Sequence, residues 1–153
     1  MTTPDVLIRS ASLADSADLL VWRNDATTRA MSFDSKIVKE KEHHKWLSCV
    51  LENSQKHLLI GEYAGEKVGM CRFDIESDRL TAEISINVNP ALRGRGLASP
   101  LLKKSIAYFL VHHSITLVAR TKVTNVASQI IFEKAGFKKQ KTAGDIIHWL
   151  FCA

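Results

Sequence analysis

The chain is poor in the residues that punctuate or cross-link a fold, with three cysteines, three prolines and seven glycines in 153 residues. Cys49, Cys71 and Cys152 are odd in number and far apart, so they outline neither a disulfide framework nor a zinc site. No Pro/Gly/Ser-rich linker, internal repeat or low-complexity stretch divides the sequence, and residues 1–153 are expected to form one domain. No apolar run approaches the ~20 residues that span a bilayer. Met1-Thr2-Thr3-Pro4-Asp5 has neither the basic start nor the apolar stretch of a secretory leader. The expectation is a cytoplasmic chain with no membrane partner and no bound metal.

What is present is ordinary for a globular chain: 46% hydrophobic and 24% charged residues. The net charge of +5 and a pI near 9.2 would suit a nucleic-acid binder. The lysines and arginines are scattered, however, with no basic run longer than Lys138-Lys139 and Lys141. That spread fits a polyanionic cofactor or nucleotide substrate better than nucleic acid.

The most informative stretch runs from Glu83 to His112. In Glu83-Ile84-Ser85-Ile86-Asn87-Val88, apolar and polar residues alternate, as in a half-buried strand. Pro90 cannot donate to a ladder and ends it. Leu97, Leu101, Leu102, Ile106, Phe109 and Leu110 then recur every three to four residues, the period of an amphipathic helix. Between strand and helix lies Arg93-Gly94-Arg95-Gly96-Leu97-Ala98. A glycine-rich turn opening a helix is an anion cradle, because its freed N–H groups and the helix dipole both favour negative charge. It is not a Walker loop, for no Gly-Lys-Ser/Thr follows, and it lacks the third glycine and the distant acid of a dinucleotide fingerprint.

The rest of the chain supplies alternating strands and helices. Val6 to Ser10 reads as a strand, and Ser12 as the N-cap of a helix with Asp15 in its first turn, ending near Trp22-Arg23-Asn24-Asp25. A loop through Met31-Ser32-Phe33-Asp34 precedes a helix over Lys39 to Glu52. A hairpin joins His57–Tyr63 to Lys67–Asp74, and a looser turn at 76–79 leads into the Glu83 strand. After the long helix come a strand over Ile115 to Val123, a helix from Val126 to Ala135 capped by Asn125, a left-handed C-cap at Gly136, and a hairpin ending in Ile146 to Phe151. The order β-α-α-β-β-β-α-β-α-β-β is an α+β chain, with a mixed sheet of about seven strands and helices on both faces.

Arg93-Gly94-Arg95-Gly96-Leu97-Ala98, directly after a strand ending in Val-Asn-Pro, resembles the pyrophosphate-binding motif of the GNAT superfamily of acyl-CoA-dependent N-acetyltransferases. The order of elements is similar to the GNAT fold over essentially the whole chain. The resemblance implies a sheet splayed between its fourth and fifth strands, with acetyl-CoA in the opening as co-substrate. It places the pantetheine on Ile86, Asn87 and Val88, and the pyrophosphate on Arg93, Gly94, Arg95, Gly96, Leu97 and Ala98. The family asparagine at the head of the following helix corresponds to Asn125, with Ser128 close by. Ile131-Phe132-Glu133-Lys134-Ala135-Gly136-Phe137 looks like the family's Tyr-x-Lys-x-Gly-Phe ending, with one departure. Many members carry at the position of Phe132 a tyrosine that protonates the departing thiolate. Phenylalanine has no proton to give, so water or another group supplies it, or the thiolate of pKa ~8.5 leaves unassisted.

The reaction implied is direct attack of a neutral amine on the thioester in a ternary complex, with a base collecting one proton. Glu83, on the polar face of its strand, is the leading base; Asp74 and Glu76 are the reserves. Backbone N–H groups near Val88 would stabilise the oxyanion. For the acceptor, Trp22-Arg23-Asn24-Asp25, Met31-Ser32-Phe33 and Glu42-His43-His44-Lys45-Trp46 resemble the branch that acetylates the 4-amino group of UDP-linked amino-dideoxy sugars in bacterial nonulosonic-acid biosynthesis. That resemblance implies an acceptor pocket lined by Arg23, Met31, His43 and Trp46, and leaves room for a homodimer. An arginine fork suits a diphosphate, and methionine with an aromatic can pack on a deoxy-sugar methyl or a base. Arg23 could equally cap the first helix, and Trp22 and Trp46 could be core. Two other readings stay open: ribosomal-protein-type N-terminal acetylation, and acyl-CoA sensing without turnover, which Phe132 keeps in view.

Overall fold

A computed structural model describes residues 2–152. Seven strands form one sheet: β1 (Leu7–Ser10), β2 (Lys56–Tyr63), β3 (Glu66–Ile75), β4 (Thr81–Val88), β5 (Thr116–Lys122), β6 (Phe137–Ala143) and β7 (Ile146–Phe151). Their order is β1-β2-β3-β4-β5-β7-β6, and β4–β5 is the one parallel pair among the described residues. The helices are α1 (Ser16–Asn24), α2 (Ala26–Met31), α3 (Glu40–Glu52), α4 (Ala98–Leu110) and α5 (Val126–Ala135). This is the expected α+β architecture.

Side chains alternate across a strand, and here the alternation divides the interior into two cores. Leu59 of β2 joins Phe73, Ile84, Leu101, Leu102, Phe109 and Trp149 on the α4–α5 face. Its neighbours Leu58 and Ile60 join Leu19, Trp22, Leu47 and Val50 on the α1–α3 face. Phe73 and Phe109 stack 4.2 Å apart, and the Trp149 indole donates to Thr121 Oγ1 at 2.9 Å, which satisfies its one buried donor. Burial pushes the Cys71 thiol up to about 12, so it packs as a small apolar group.

The feature that matters for function is where β4 and β5 part. They pair only at Thr81↔Thr116, Ala82↔Leu117 and Glu83↔Val118. Beyond that point β4 continues to Val88 bonded to β3 alone, and β5 continues to Lys122 bonded to β7 alone. The sheet is therefore splayed between its fourth and fifth strands, as expected. On the far side β3 grips the splayed strand through a glycine. Gly69 is registered with Val88, and a Cβ there would lie 2.5 Å from the Asn87 carbonyl oxygen and 2.9 Å from Val88 Cα.

Two local expectations need correction. Residues 26–31, expected as loop, form the short helix α2, because the Asp25 carboxylate accepts the Thr28 N–H at 3.1 Å as an N-cap. The Asn24 side chain pins the loop that follows by bonding both the N–H and the C=O of Val38, each at 2.8 Å. The first helix does not run unbroken from Ser12 either; Leu13–Asp15 is a 3₁₀ turn ahead of α1. Asp15 accepts the Ser12 N–H at 2.9 Å and is 1% exposed, clamped by Arg9 and by Lys67 at 2.8 Å. Those partners, Arg9 foremost, hold its carboxyl far below the usual range.

Two imidazoles make the fold sensitive to acid. Burial, more than neighbouring charge, lowers the pKa of His43 and of His57. The unfolded chain therefore binds more protons than the folded one once pH falls below ~6.5, the ordinary histidine value. Stability is fully present above that pH and declines below it, while Asp15 stays ionised throughout. Urea midpoints should fall between pH 7.5 and pH 5.5, and more shallowly in the His43→Gln/His57→Gln double variant; midpoints flat or rising toward acid would contradict the burial argument.

Candidate active site

The segment after β4 is built to present donors. The Asn89 N–H and side-chain amide donate to the carbonyls of Val68 and Lys67, at 2.8 and 2.9 Å, and its Oδ1 accepts the Ala91 N–H at 3.0 Å. This fixes the exit of β4 against β3. A 3₁₀ turn at Pro90–Leu92 leads into Gly94 (φ 77°) and Gly96 (φ 71°), both left-handed, a conformation glycine adopts without a Cβ penalty. No heavy atom lies within 4 Å of where a Cβ would sit on either. The N–H groups of Gly94 to Ala98 donate to no backbone carbonyl among the described residues. They lie at the N-terminus of α4, which begins at Ala98, where the macrodipole also favours an anion.

The cavity at this turn measures about 510 Å³, within the roughly 300–1,000 Å³ usual for a small-molecule site. Ile86, Asn87 and Val88 of β4 form one wall. Arg93, Gly94, Gly96, Leu97 and Ala98 form its head, and Asn125 and Ser128 the opposite wall. Asn125 also caps α5, accepting the Ser128 N–H at 3.2 Å.

α2 roofs the opening between the strands. Arg93 pairs with Asp25 and donates to Thr28 Oγ1 at 3.0 Å; Thr28 in turn donates to Asn87 Oδ1 at 3.3 Å. At the other end of α2, Lys122 of β5 donates to the Ala30 carbonyl at 3.1 Å. The Arg93 guanidinium holds the Asp25 carboxyl below its usual range.

Three residues expected at these sites stand elsewhere. Arg95 lies between two left-handed glycines, which turn its side chain outward to Glu66 at 3.9 Å, and it does not line the cleft. Phe132 is on the inner face of α5, edge-on to Phe137 at 5.0 Å, and belongs to the core. Met31, expected with the acceptor residues, lines the 510 Å³ cleft instead, because it closes α2 over the splayed strands.

On the α1–α3 face a second cavity, of 380 Å³, brings together Arg23, His43 and Trp46 with Glu42, Arg72 and Asn87. Arg23 donates to the Asp34 carbonyl at 2.8 Å, which ties the loop after α2 to α1. Its Nη1 is buried with no partner, and so is Nδ1 of His43, which is 4% exposed. His44 is exposed. Arg72 sits over the Trp46 ring at 5.6 Å, and Trp22 is core. Asn87 lines both cavities and is their shared wall.

Glu83 lies at the last β4–β5 pair, on the α1–α3 face of β4. Its carboxylate takes a two-point bond from Arg120 of β5, through Nε and through Nη2 at 3.1 Å. That guanidinium also stacks over Phe33, 4.7 Å from the ring centre. Asp74, the β3 partner of Glu83, is bonded by Arg72 at 3.1 Å and approached by Lys56 at 3.8 Å. Arg72, Arg120 and Lys122 have no motif of their own. The one sequence signal for the β5 pair was parity: Leu117, Ala119 and Thr121 are buried on one face, which leaves Arg120 and Lys122 on the other.

A parallel pair splayed over a glycine-rich helix N-terminus, with a second cavity meeting the same strand, defines an acyl-CoA-type transferase scaffold. Residues 5–138 match the sequence model of the acetyltransferase (GNAT) domain, and the chain belongs to that family. Solved structures of like fold include spermidine N-acetyltransferase from Vibrio cholerae in complex with CoA and spermine, with TM-score 0.86, 16% identity and coverage of 96% of this chain and 95% of that one. AAC(6')-Ib in complex with ribostamycin and coenzyme A gives TM-score 0.84 at 18% identity, over 96% and 93% of the two chains. Ribosomal-protein-alanine N-acetyltransferase from Brucella melitensis gives 0.76 at 26% identity, over 94% and 96%. No curated protein matches the chain. Among the described residues no helix is long and apolar enough to cross a membrane.

Proposed function

We propose that this GNAT acetyltransferase moves the acetyl group of acetyl-CoA to the primary amine of an acidic small molecule, best matched by the 4-amino group of a UDP-linked amino-dideoxy sugar. The observation that carries the acceptor class is the second cavity. Arg23 Nη1 and His43 Nδ1 are buried there without partners, and an unpaired buried polar atom is costly unless a ligand answers it. With Arg72 on the same wall, the cavity offers donors suited to phosphate or carboxylate. A polycationic amine would meet two guanidiniums, offset only by Glu42 and Asp34.

In this reading the Gly94–Ala98 amides and Arg93 hold the pyrophosphate, and the free edge of β4 at Ile86 to Val88 bonds the pantetheine in the opening. Splayed strands leave N–H and C=O groups unpaired, and an amide-bearing chain can satisfy them. The acceptor enters from the opposite face and meets the thioester past Asn87. Glu83 takes a proton from the attacking nitrogen, and β4 N–H groups near Val88 stabilise the developing oxyanion.

The test is release of free thiol from acetyl-CoA with UDP-4-amino-4,6-dideoxy sugars, polyamines and N-terminal peptides as acceptors. Release dependent on the sugar nucleotide is the expected result. Arg23→Ala should then raise the acceptor KM about tenfold, the order of one charge-assisted bond, with the acetyl-CoA KM unchanged. The likeness to a ribosomal-protein-alanine N-acetyltransferase favours a second reading, protein N-terminal acetylation; release with peptides alone would establish it. Acetyl-CoA bound with no release for any amine would leave the sensor.

A further inference from the structure

We infer that Arg120 is a positioning residue for the general base, and that Phe33 holds Arg120 in place. The inference rests on the reading of Glu83 as that base. Glu83 stands at the last β4–β5 pair, where the two strands part, on the α1–α3 face and three residues before Ile86, the first β4 residue to line the cleft. A glutamate with three free torsions would not keep one orientation there. Arg120 removes that freedom, because Nε and Nη2 engage the two carboxylate oxygens as a planar fork. Each oxygen of an ionised carboxylate has a second lone-pair site, so the fork fixes the group and leaves it able to accept a proton.

The remaining charges on this face fit that division of labour. Asp74, beside Glu83 on β3, has its own partners in Arg72 and Lys56. Glu76 acts on Arg120 only through space, and Lys122 is turned to the Ala30 carbonyl. Glu83 is thus the carboxylate that belongs to Arg120, whose own pKa is raised chiefly by that bond. Phe33, in the loop that follows α2, lies against the guanidinium, its ring centre 4.7 Å away. The loop that borders the acceptor cavity therefore also fixes the side chain that aims the base. During turnover one N–H proton of the attacking amine passes to a Glu83 oxygen, the nitrogen–carbon bond forms, and the carbon–sulfur bond breaks with its electron pair leaving on the thiolate.

Steady-state kinetics of purified Glu83→Gln, Arg120→Met, Arg120→Lys and Phe33→Leu, each first checked for native melting, tests this. Arg120→Met should lower kcat about 100-fold with the acetyl-CoA KM within twofold of the parent. It should also move the acid limb of the kcat–pH profile to higher pH. Arg120→Lys, with charge but no fork, should recover only part of kcat, and Phe33→Leu should lose about fivefold. Added guanidinium ion should restore part of the activity of an Arg120→Ala variant. A folded Arg120→Met with the parent's kcat and pH profile would overturn the positioning role while leaving Glu83 as base. A Glu83→Gln variant of full activity would instead remove the base reading on which it stands.

Discussion

Gly96→Asp is expected to abolish measurable acetyl-CoA binding while leaving the fold intact. Gly96 has open space where a Cβ would sit, so bulk alone is tolerated. Its φ of 71° is left-handed, which aspartate bears better than most residues, at a cost of about 1 kcal/mol. The carboxylate would stand among the N–H groups that are to receive the pyrophosphate. At ~5 Å and an effective dielectric of ~20, one pair of like charges costs about 3 kcal/mol, or some two orders of magnitude in Kd. Calorimetry of acetyl-CoA binding, paired with a melting curve, reads both halves of the prediction. Parent-like affinity would mean that the turn does not hold the pyrophosphate.

Gly69→Ala should do the reverse, damaging the fold first and activity as a result. The added Cβ would fall 2.5 Å from the Asn87 carbonyl oxygen and 2.9 Å from Val88 Cα, and both contacts are backbone. Neither can rotate away, so β3 and β4 must separate where the splayed strand has no other neighbour. Overpacking of this kind costs about 1–3 kcal/mol. Because the displaced segment also lines both cavities, the acetyl-CoA KM and the acceptor KM should rise together. A Tm within 1 °C of the parent, with unchanged kinetics, would show that β4 yields without penalty.

Much of this was legible because the decisive signals are local. A two-residue period, a proline stop, two glycines and a 3.6-residue period occur in order between Glu83 and His112, and each fixes its own backbone. Asn125 and Gly136 announced the ends of α5 in the same way. What was not legible depends on neighbours distant in sequence. Asp15 looked like a helix-start acid, and only the sheet brings Arg9 and Lys67 to it. Residues 26–31 lack an apolar period, so α2 follows from the Asp25 cap and from contacts to Arg93 and Lys122. Phe132 and Arg95 lie inside a recognisable motif, yet helix rotation and glycine backbone geometry turn both away from the cleft.

β6, one of the two edge strands of the sheet, has a bearing on how copies of this chain meet one another. A sheet edge is an invitation to another edge, since its spare N–H and C=O groups recruit any strand that comes alongside. Here the edge carries Lys138, Lys139 and Lys141, all exposed. Two such borders brought together would set cation against cation before a single bond could form. Part of the chain's positive balance thus stands as a fence along this border, set against the pairing of one β6 with another.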